Sequence, residues 1–471
     1  MSERLSSESF KQANIGTDAS AEKTEKPSFF NSRLAVIFIT VFIDLVGFGI
    51  AIPILPYFVE NFGGTGFEIG LLTASYSFMQ FLFAPILGQL SDRYGRRPIL
   101  FFSILGSSLG FLVVGMANAL WLVFLGRIIA GITGGNISTA QAYIADVTTP
   151  ENRAKGMGLL GAAFGMGFVF GPAIGGILSK VEIHIGNFHL TGIQTPFLFV
   201  SLLALLNATM LYFVLPETVK KGGELGKIRS RFSILREAFT NQNLALVVVL
   251  YFLVIIAFSM MTTAFVLYTQ FRFGYDAQHN GYLFAYIGIL SAILQGGAVG
   301  VLTKRFGEKA LVVAGSLIMA IAFFLVPYVS PQSFGFITAY FPGDVHFFGI
   351  HFGSNVGGLV ALLLGIAGFA IGQSISNPSL TSLGSKYSPA NEQGAGLGVL
   401  QSGASLARAI GPLLAGILLY SAAATNDMHL DDFALFRTYW TASAIMLGAF
   451  LLSLYFVKIA DGSSNFDKSS A

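Results

Sequence analysis

The chain carries a series of apolar stretches, each about 20 residues or longer, separated by short polar connections. A helix of ~20 residues matches the ~30 Å hydrocarbon layer of a bilayer. Only helices and closed barrels satisfy their backbone inside lipid. Barrel strands read as alternating segments of about ten residues, and these stretches are continuous, so the fold class is an all-α membrane protein. Twelve spans are expected, near 34–58, 67–89, 98–117, 120–145, 156–180, 196–215, 244–271, 281–303, 309–329, 355–384, 395–421 and 435–458. Charged residues make up 11% of the 471, against about 25% in a soluble domain, which leaves too little polar surface for a water-soluble globule. The absence of cysteine excludes disulfides and thiolate chemistry.

Residues 1–31 are polar and mixed in charge and read as a disordered cytoplasmic tail. The first apolar run is too long for a secretory h-region. With the N-terminus inside, 22 of the 27 lysines and arginines fall on the cytoplasmic side, as the positive-inside rule requires. Lys180, Arg272 and Arg437 fall outside, and Arg127 and Arg408 fall within spans. Both termini are therefore expected inside, in a cell inner membrane.

The hydrophilic segment 216–243, with Lys220, Lys221, Lys227, Arg229, Arg231 and Arg236, divides the chain into bundles 32–215 and 244–458, followed by a tail 459–471. An internal repeat supports the division. Gly88…Gly95 recurs as Gly300…Gly307 at a shift of 212, and Gly156…Gly171-Pro172…Gly176 recurs as Gly396…Gly411-Pro412…Gly416 at a shift of 240. Duplicated halves place a binding site at their interface, near the bilayer midplane.

Between the second and third spans lies Gly88-Gln-Leu-Ser-Asp92-Arg93-Tyr-Gly95-Arg96-Arg97-Pro98. Gly88 permits close helix approach and Gly95 a tight turn. Asp92 can cap a helix of the second half, and the arginines can pair with Asp146 at the end of the fourth span, forming a conformational latch. This run resembles the signature of the major facilitator superfamily. Ile43-Asp44-Leu-Val-Gly-Phe-Gly-Ile, Met79-Gln80-Phe-Leu and Gly126-Arg127-Ile-Ile-Ala-Gly131 are similar to the tetracycline-efflux type of drug:proton antiporter. The resemblance implies two pseudo-symmetric six-helix bundles around a central cavity. In the fifth span, Gly158, Gly167, Gly171, Pro172, Gly175 and Gly176 resemble the antiporter motif of exporters, held there to seal the interface between halves.

Asp44 is the one acidic residue well inside a span. A charge there costs about 3 kcal/mol on insertion scales unless it is paired or faces water, which makes Asp44 the candidate for carrying a proton or binding a cationic group. Arg127 matches the family's Arg-x-x-x-Gly motif, which implies a part in proton coupling. Arg408 has Phe168 as its repeat counterpart, so symmetry did not place it. Tyr76, Gln80, Asn136, Gln141, Thr262, Tyr286, Gln295, Gln373, Asn377, Gln401 and Arg408 are the candidate substrate contacts, with Ser138, Thr263 and Tyr268 beside them.

Tetracycline exporters carry further acids in the third and ninth spans, where this chain has Gly110 and Met319. Tetracycline itself is therefore a poor guess, and an anionic or amphipathic solute also fits. No enzyme constellation, phosphate-binding loop or nucleic-acid module is present, and neither cofactor nor metal is expected. Asp344, His346 and His351 in the long outer segment 330–354 could sense pH or bind metal, but a histidine pair in a loop is usually neither. The reading is a monomeric secondary transporter of a small organic solute working by alternating access, most simply proton-coupled efflux. Proton-coupled or facilitative uptake of a nutrient or organic anion is the alternative, and a non-transporting receptor a third.

Overall fold

The computed structural model describes residues 32–148, 150–185, 188–218, 240–341, 343–347, 350–388, 393–419 and 432–469. The expected tail 1–31 and the basic stretch 219–239 of the linker lie outside the described residues.

The first half contains α1 (Ser32–Asn61), α2 (Gly66–Tyr94), α3 (Arg96–Gly115), α4 (Leu120–Thr133), α5 (Asn136–Val147), α6 (Pro150–Leu178) and α7 (Thr195–Val214). The second contains α8 (Gln242–Phe273), α9 (Ala277–Ile293), α10 (Val299–Leu325), the short α11 (Gly335–Tyr340), α12 (Val356–Tyr387), α13 (Gln393–Leu419) and α14 (Asp432–Ser469). Ten stretches of the described residues are long and apolar enough to cross a membrane. One of them, Ala277–Tyr328, runs for 52 residues. It folds back at Gly307, whose φ of 78° no ordinary residue adopts cheaply. Gly95, its repeat counterpart, has φ 106° and breaks α2 from α3 in the same way.

The exterior is apolar: Phe213 is 77% and Phe102 65% exposed, which suits contact with lipid tails. The buried core runs through both halves, from Ile50, Ile54 and Phe58 to Val254, Phe265 and Phe369. In each half the helix with the glycine-proline motif lies on the first helix of that half: α6 on α1, and α13 on α8. Each also crosses to the other half, α6 to α9 and α13 to α2.

Three features differ from the expectation. The span 120–145 is interrupted at Gly134-Gly135, where ψ values of 0° and 6° depart from the helical ladder. A Cβ at Gly135 would stand 2.6 Å from Ala84 Cα, so only glycine lets this turn press on α2. Two hairpins, β1–β2 (Ile183–Ile185 with Phe188–Leu190) and β3–β4 (His346–Phe347 with Ile350–His351), interrupt the outer connections. The last helix continues to Ser469, beyond the expected end at 458, because an α-helix closes its own hydrogen bonds whether or not lipid surrounds it.

Successive spans alternate in direction, so the start of α1, the end of α14, Gly95, Gly307, the end of α7 and the start of α8 share one face. That face is called the terminal face below, and the opposite one the loop face.

Candidate functional site

Asp44 lies midway along α1, where its neighbour Leu45 packs on Gly167 of α6. Protein surrounds it at longer range, yet its side chain keeps partial solvent exposure. Asn136, the first residue after the Gly134-Gly135 break, offers its side chain to the carboxylate.

Across from it, Tyr76 of α2 is 4% exposed and lies under the Arg127 guanidinium at 4.3 Å. Arg127 itself is 2% exposed, and its Nε and Nη1 have no hydrogen-bond partner among the described residues. An unsatisfied buried guanidinium is uncommon in a native protein. Arg408 of α13 is only partly enclosed, like Asp44, and donates from Nη2 to Ser405 Oγ at 3.0 Å. Tyr76 stands within electrostatic reach of Asp44, Arg127 and Arg408 together. The three intramembrane charges are thus grouped around Tyr76. An aromatic chain runs beside them from one half to the other: Tyr76 to Phe48 at 5.6 Å, Phe48 to Phe168 at 5.9 Å, Phe168 to Phe258 at 6.4 Å and Phe258 to Phe369 at 5.5 Å.

The remaining polar candidates divide. Gln80 donates to Gly134 O at 2.8 Å and ties α2 to the break in the fourth span. Ser138 donates to Ala84 O, Thr262 and Thr263 to Ser259 O, and Tyr268 to Val326 O and Val329 O. These groups are occupied by local backbone. Gln141, Tyr286, Gln373 and Gln401 are half-buried, and Asn377 Oδ1 has no partner among the described residues. Gln295 is exposed, in the π-helical turn Leu294–Ala298 that joins α9 to α10. Gly110, which replaces an acid of the tetracycline exporters, has no room for a side chain: a Cβ there would meet Gly126 O and Ala130 N at 2.8 Å.

The two ends of the inter-half crossings differ. Toward the loop face, a Cβ at Gly70 would stand 2.4 Å from Pro412 O, and one at Gly281 2.5 Å from Pro172 O. Gly176 meets Ala277 and Gln278, and Gly416 meets Gly66 and Gly70. Toward the terminal face, on the same helices, Gly165, Gly296, Gly297 and Gly398 have nothing within 4 Å of an added Cβ. The halves are sealed at the loop face and apart at the terminal face, so the chamber opens toward the chain ends. Of the glycine motif, Gly167, Gly171 and Gly175 press on Leu45, Gly49 and Ile50 of α1, while Pro172 and Gly176 reach α9. Gly158 lies in the same helix.

Polar groups reinforce the seal. Tyr57 donates to Tyr275 O at 2.8 Å and receives Asn280 Nδ2 at 3.0 Å, and Gln270 donates to Glu60 at 2.8 Å. Lys180 pairs with Asp276, which also caps α9 and binds His279 Nδ1 at 2.7 Å. Burial opposes the charge on Asp276, but hydrogen bonds from His279 and Lys180 outweigh it and hold the carboxyl well below the usual range. Burial pushes the Tyr275 phenol up to about 12. None of these seven cross-half residues was singled out from sequence as a gate. The one available signal was the Asp276-x-x-His279 spacing at a helix start.

At the terminal face, Arg96 pairs with Asp92 and, through Nε, with Asp146 at 3.2 Å, and donates from Nη1 to Ser91 at 2.7 Å. Glu217, just beyond α7, accepts the backbone N–H of Arg96 at 2.9 Å and of Arg97 at 3.1 Å, so an acid meets the positive end of α3. Arg97 stacks on Tyr212 at 4.9 Å and Arg93 on Tyr94 at 5.3 Å. Among the described residues, the partners of Asp92 (Arg96) and of Asp146 (Arg96 and Thr218) belong to the first half. Gly88 touches only Ser138, at an ordinary 3.7 Å. In the second half, the repeat positions of Arg96 and Asp146 are Glu308 and Lys386, and these also form an ion pair.

A family model described as Major Facilitator Superfamily matches residues 37–368. Tetracycline resistance protein class H of Pasteurella multocida is 30% identical over 435 residues, spanning 90% of this chain and 96% of that protein. Class C of Escherichia coli is 36% identical over 307 residues, spanning 64% of this chain and 74% of the relative. Among solved structures, a bacterial homolog to the human lysosomal transporter Spinster, in an inward-facing and occupied conformation, matches with a TM-score of 0.66 and 14% identity, covering 92% of this chain and 96% of that one. The human organic anion transporter MFSD10 (TETRAN) matches with a TM-score of 0.62 and 24% identity, covering 89% and 98%.

Proposed function

The chain belongs to the major facilitator superfamily, and from that footing we propose how its chamber works. It is a multi-pass secondary transporter of the drug:proton antiporter kind, resembling the tetracycline efflux proteins. The terminal face is cytoplasmic and the protein sits in the inner membrane, so the conformation described here is open to the cytoplasm. The observation that carries the mechanism is the partial exposure of Asp44 in a chamber it shares with Arg127, Tyr76 and Arg408.

Asp44 carries the proton. In its ionised form it accepts a hydrogen-bond donor or cationic group of the solute. Protonation removes that attraction, and competition between proton and solute for one carboxylate is what antiport requires. Arg408, open to the chamber, binds acidic or electron-rich oxygens, and the Phe48–Phe168–Phe258 aromatic chain takes an apolar body. The solute class is therefore amphipathic, with a donor group at one end and acidic oxygens at the other. Arg127, held on the face of Tyr76, tunes Asp44 through that ring. Asn136 fixes the Asp44 carboxylate. Gln141, Tyr286, Gln373, Asn377 and Gln401 complete the lining.

Alternation follows from the joints. The glycine faces of α6 and α13 let the halves roll on α9 and α2, closing the terminal face as the loop face parts. The Asp92–Arg96–Asp146 cluster then meets the second half, where Asp92 faces a helix end.

Proteoliposomes test the scheme. Asp44→Asn is expected to lose transport driven by an imposed proton gradient, by about a hundredfold, while retaining solute counterflow. Unchanged gradient-driven transport in that variant would reject the proton role, and loss of both activities would make Asp44 a binding residue alone.

A further inference from the structure

We propose that Asp344, His346 and His351, on the β3–β4 hairpin of the loop face, form a three-ligand site for a divalent transition-metal cation of the Zn2+ type. The site is separate from the transport chamber and takes no part in the proton chemistry.

Register puts the ligands together. His346 and His351 are direct cross-strand partners. The pairing is fixed on the inner side by Phe352 N–H to Val345 O at 2.8 Å and Val345 N–H to Gly353 O at 3.0 Å. Phe352 bonds back to Val345 O while Val345 N–H reaches one residue further, to Gly353 O, and directly opposed partners on one face keep their side chains within reach of each other. Their ring centroids lie 5.0 Å apart. Asp344 precedes His346 by two residues, and the strand period of two puts it on the same face. A slip of one residue would send the histidines to the other face. Gly343 and Gly353, at φ 149° and 88°, let the chain turn into and out of the hairpin.

The distances fit a metal. Asp344 Oδ2 lies 3.1 Å from His351 Nε2, close to the separation of roughly 3.4 Å between two ligands on one tetrahedral zinc with bonds of about 2.0–2.1 Å. One ligand atom from each of the three residues lies within 4.8 Å of the others. All three side chains are exposed, so rotation about χ1 and χ2 closes the remaining gap of about 1 Å, and water fills the fourth position. Two imidazoles with one carboxylate select Zn2+, Cu2+, Ni2+ or Co2+ over Mg2+ and Ca2+, which prefer oxygen.

The hairpin is anchored to the seal. His279 bonds the His351 carbonyl at 2.9 Å, and Phe352 packs edge-on against His279 and Tyr275. A bound cation would therefore brace the hairpin on the residues that hold the loop face shut.

The test uses the full chain without an affinity tag, in detergent and stripped by chelator. Titration with Co2+, followed by its visible absorption, and with Zn2+ by calorimetry is expected to give one ion per chain. His346→Ala and His351→Ala should each weaken binding at least tenfold, and His184→Ala in the other hairpin should not change it. Cu2+ bound to the unaltered protein should show nitrogen couplings from two imidazoles by electron paramagnetic resonance. Absence of stoichiometric uptake, full affinity in the His346→Ala/His351→Ala double variant, or a Cu2+ spectrum without those couplings would each overturn the site.

Discussion

Gly171 against Gly49 in the first half and Gly411 against Ser259 in the second are the same joint made twice, at a shift of 210 for the first helix of each bundle. Carried along α1, that shift pairs Asp44 with Val254, which is completely buried. Phe168 pairs with Arg408, and the Arg96–Asp146 bridge with the Glu308–Lys386 bridge, its charges reversed. Small residues at the joints persist through the duplication, and the intramembrane charges and the polarity of these bridges do not. Packing between two rigid surfaces tolerates little change, so both halves keep it. The solute and the proton meet a single asymmetric chamber, so each half is free to supply a different group.

The comparison breaks most visibly at the joints. Gly281→Leu drives a side chain into Pro172 O and should cost about 1–3 kcal/mol or more in this conformation, shifting labelling of loop-face cysteine probes tenfold or beyond toward the open form. Gly296→Leu, on the same helix with open space around it, should leave that labelling unchanged here. Equal effects from the two would show that the loop-face seal is not where α9 is held.

Arg408→Phe gives the second half the residue of the first. Solute affinity in equilibrium binding should fall ten- to a hundredfold, with Arg408→Lys intermediate, since a lysine keeps the charge but not the planar fork. Full affinity in Arg408→Phe would return this arginine to a structural role.

Smaller still is the effect of reversing the first bridge. Arg96→Glu with Asp146→Lys gives both halves the same polarity. Half-exposed bridges contribute about 0–1 kcal/mol, so the double variant should fold with a thermal midpoint within a few degrees of the parent. Its conformational balance should shift severalfold against closing the terminal face. A balance identical to the parent would remove these charges from gating.

Least is expected from Asp276→Asn, which removes the Lys180 pair at the seal. Folding holds the Asp276 carboxyl well below its usual titration range, so its contribution is complete at neutral pH and is lost only as the solution becomes strongly acidic. The variant should therefore open the loop face severalfold at neutral pH, and the gap from the parent should narrow as acid protonates Asp276 in the parent. A gap independent of pH would point to lost capping of α9 rather than lost charge.

Much of this was legible in advance, for energetic reasons. Apolar length announces a span because lipid permits few alternatives, and the expected spans overlie described helices with ends displaced by a few residues, except the last, which runs on to Ser469. Asp44, Arg127 and Arg408 stood out because charge amid hydrocarbon is costly. The seal was hidden for the converse reason: Tyr57, Glu60, Gln270 and Asp276 lie near helix ends, where polar residues are ordinary. Gln80 and Tyr268 looked like chamber residues because a polar side chain facing a neighbouring helix has the same spacing as one facing water. Glu217 closes on α3 from a hundred residues away, a contact no local pattern encodes. The hairpins have strands of two or three residues, too short for an alternation to show.

The π-helical turn at Leu294–Ala298 leaves a mark on the duplication itself. Ahead of it, Gly281 answers to Gly70 at a distance of 211 residues along the chain, and after it Gly300 answers to Gly88 at 212. One surplus residue has been absorbed as a single swollen coil of α9, leaving both flanks facing their old neighbours. Its longer, poorer backbone bonds lie beyond the clamped stretch, where the turn rests on α12 and Gly296 and Gly297 face open space. When the mouth shuts, bending is cheapest there, and the second bundle has a knuckle that its twin lacks.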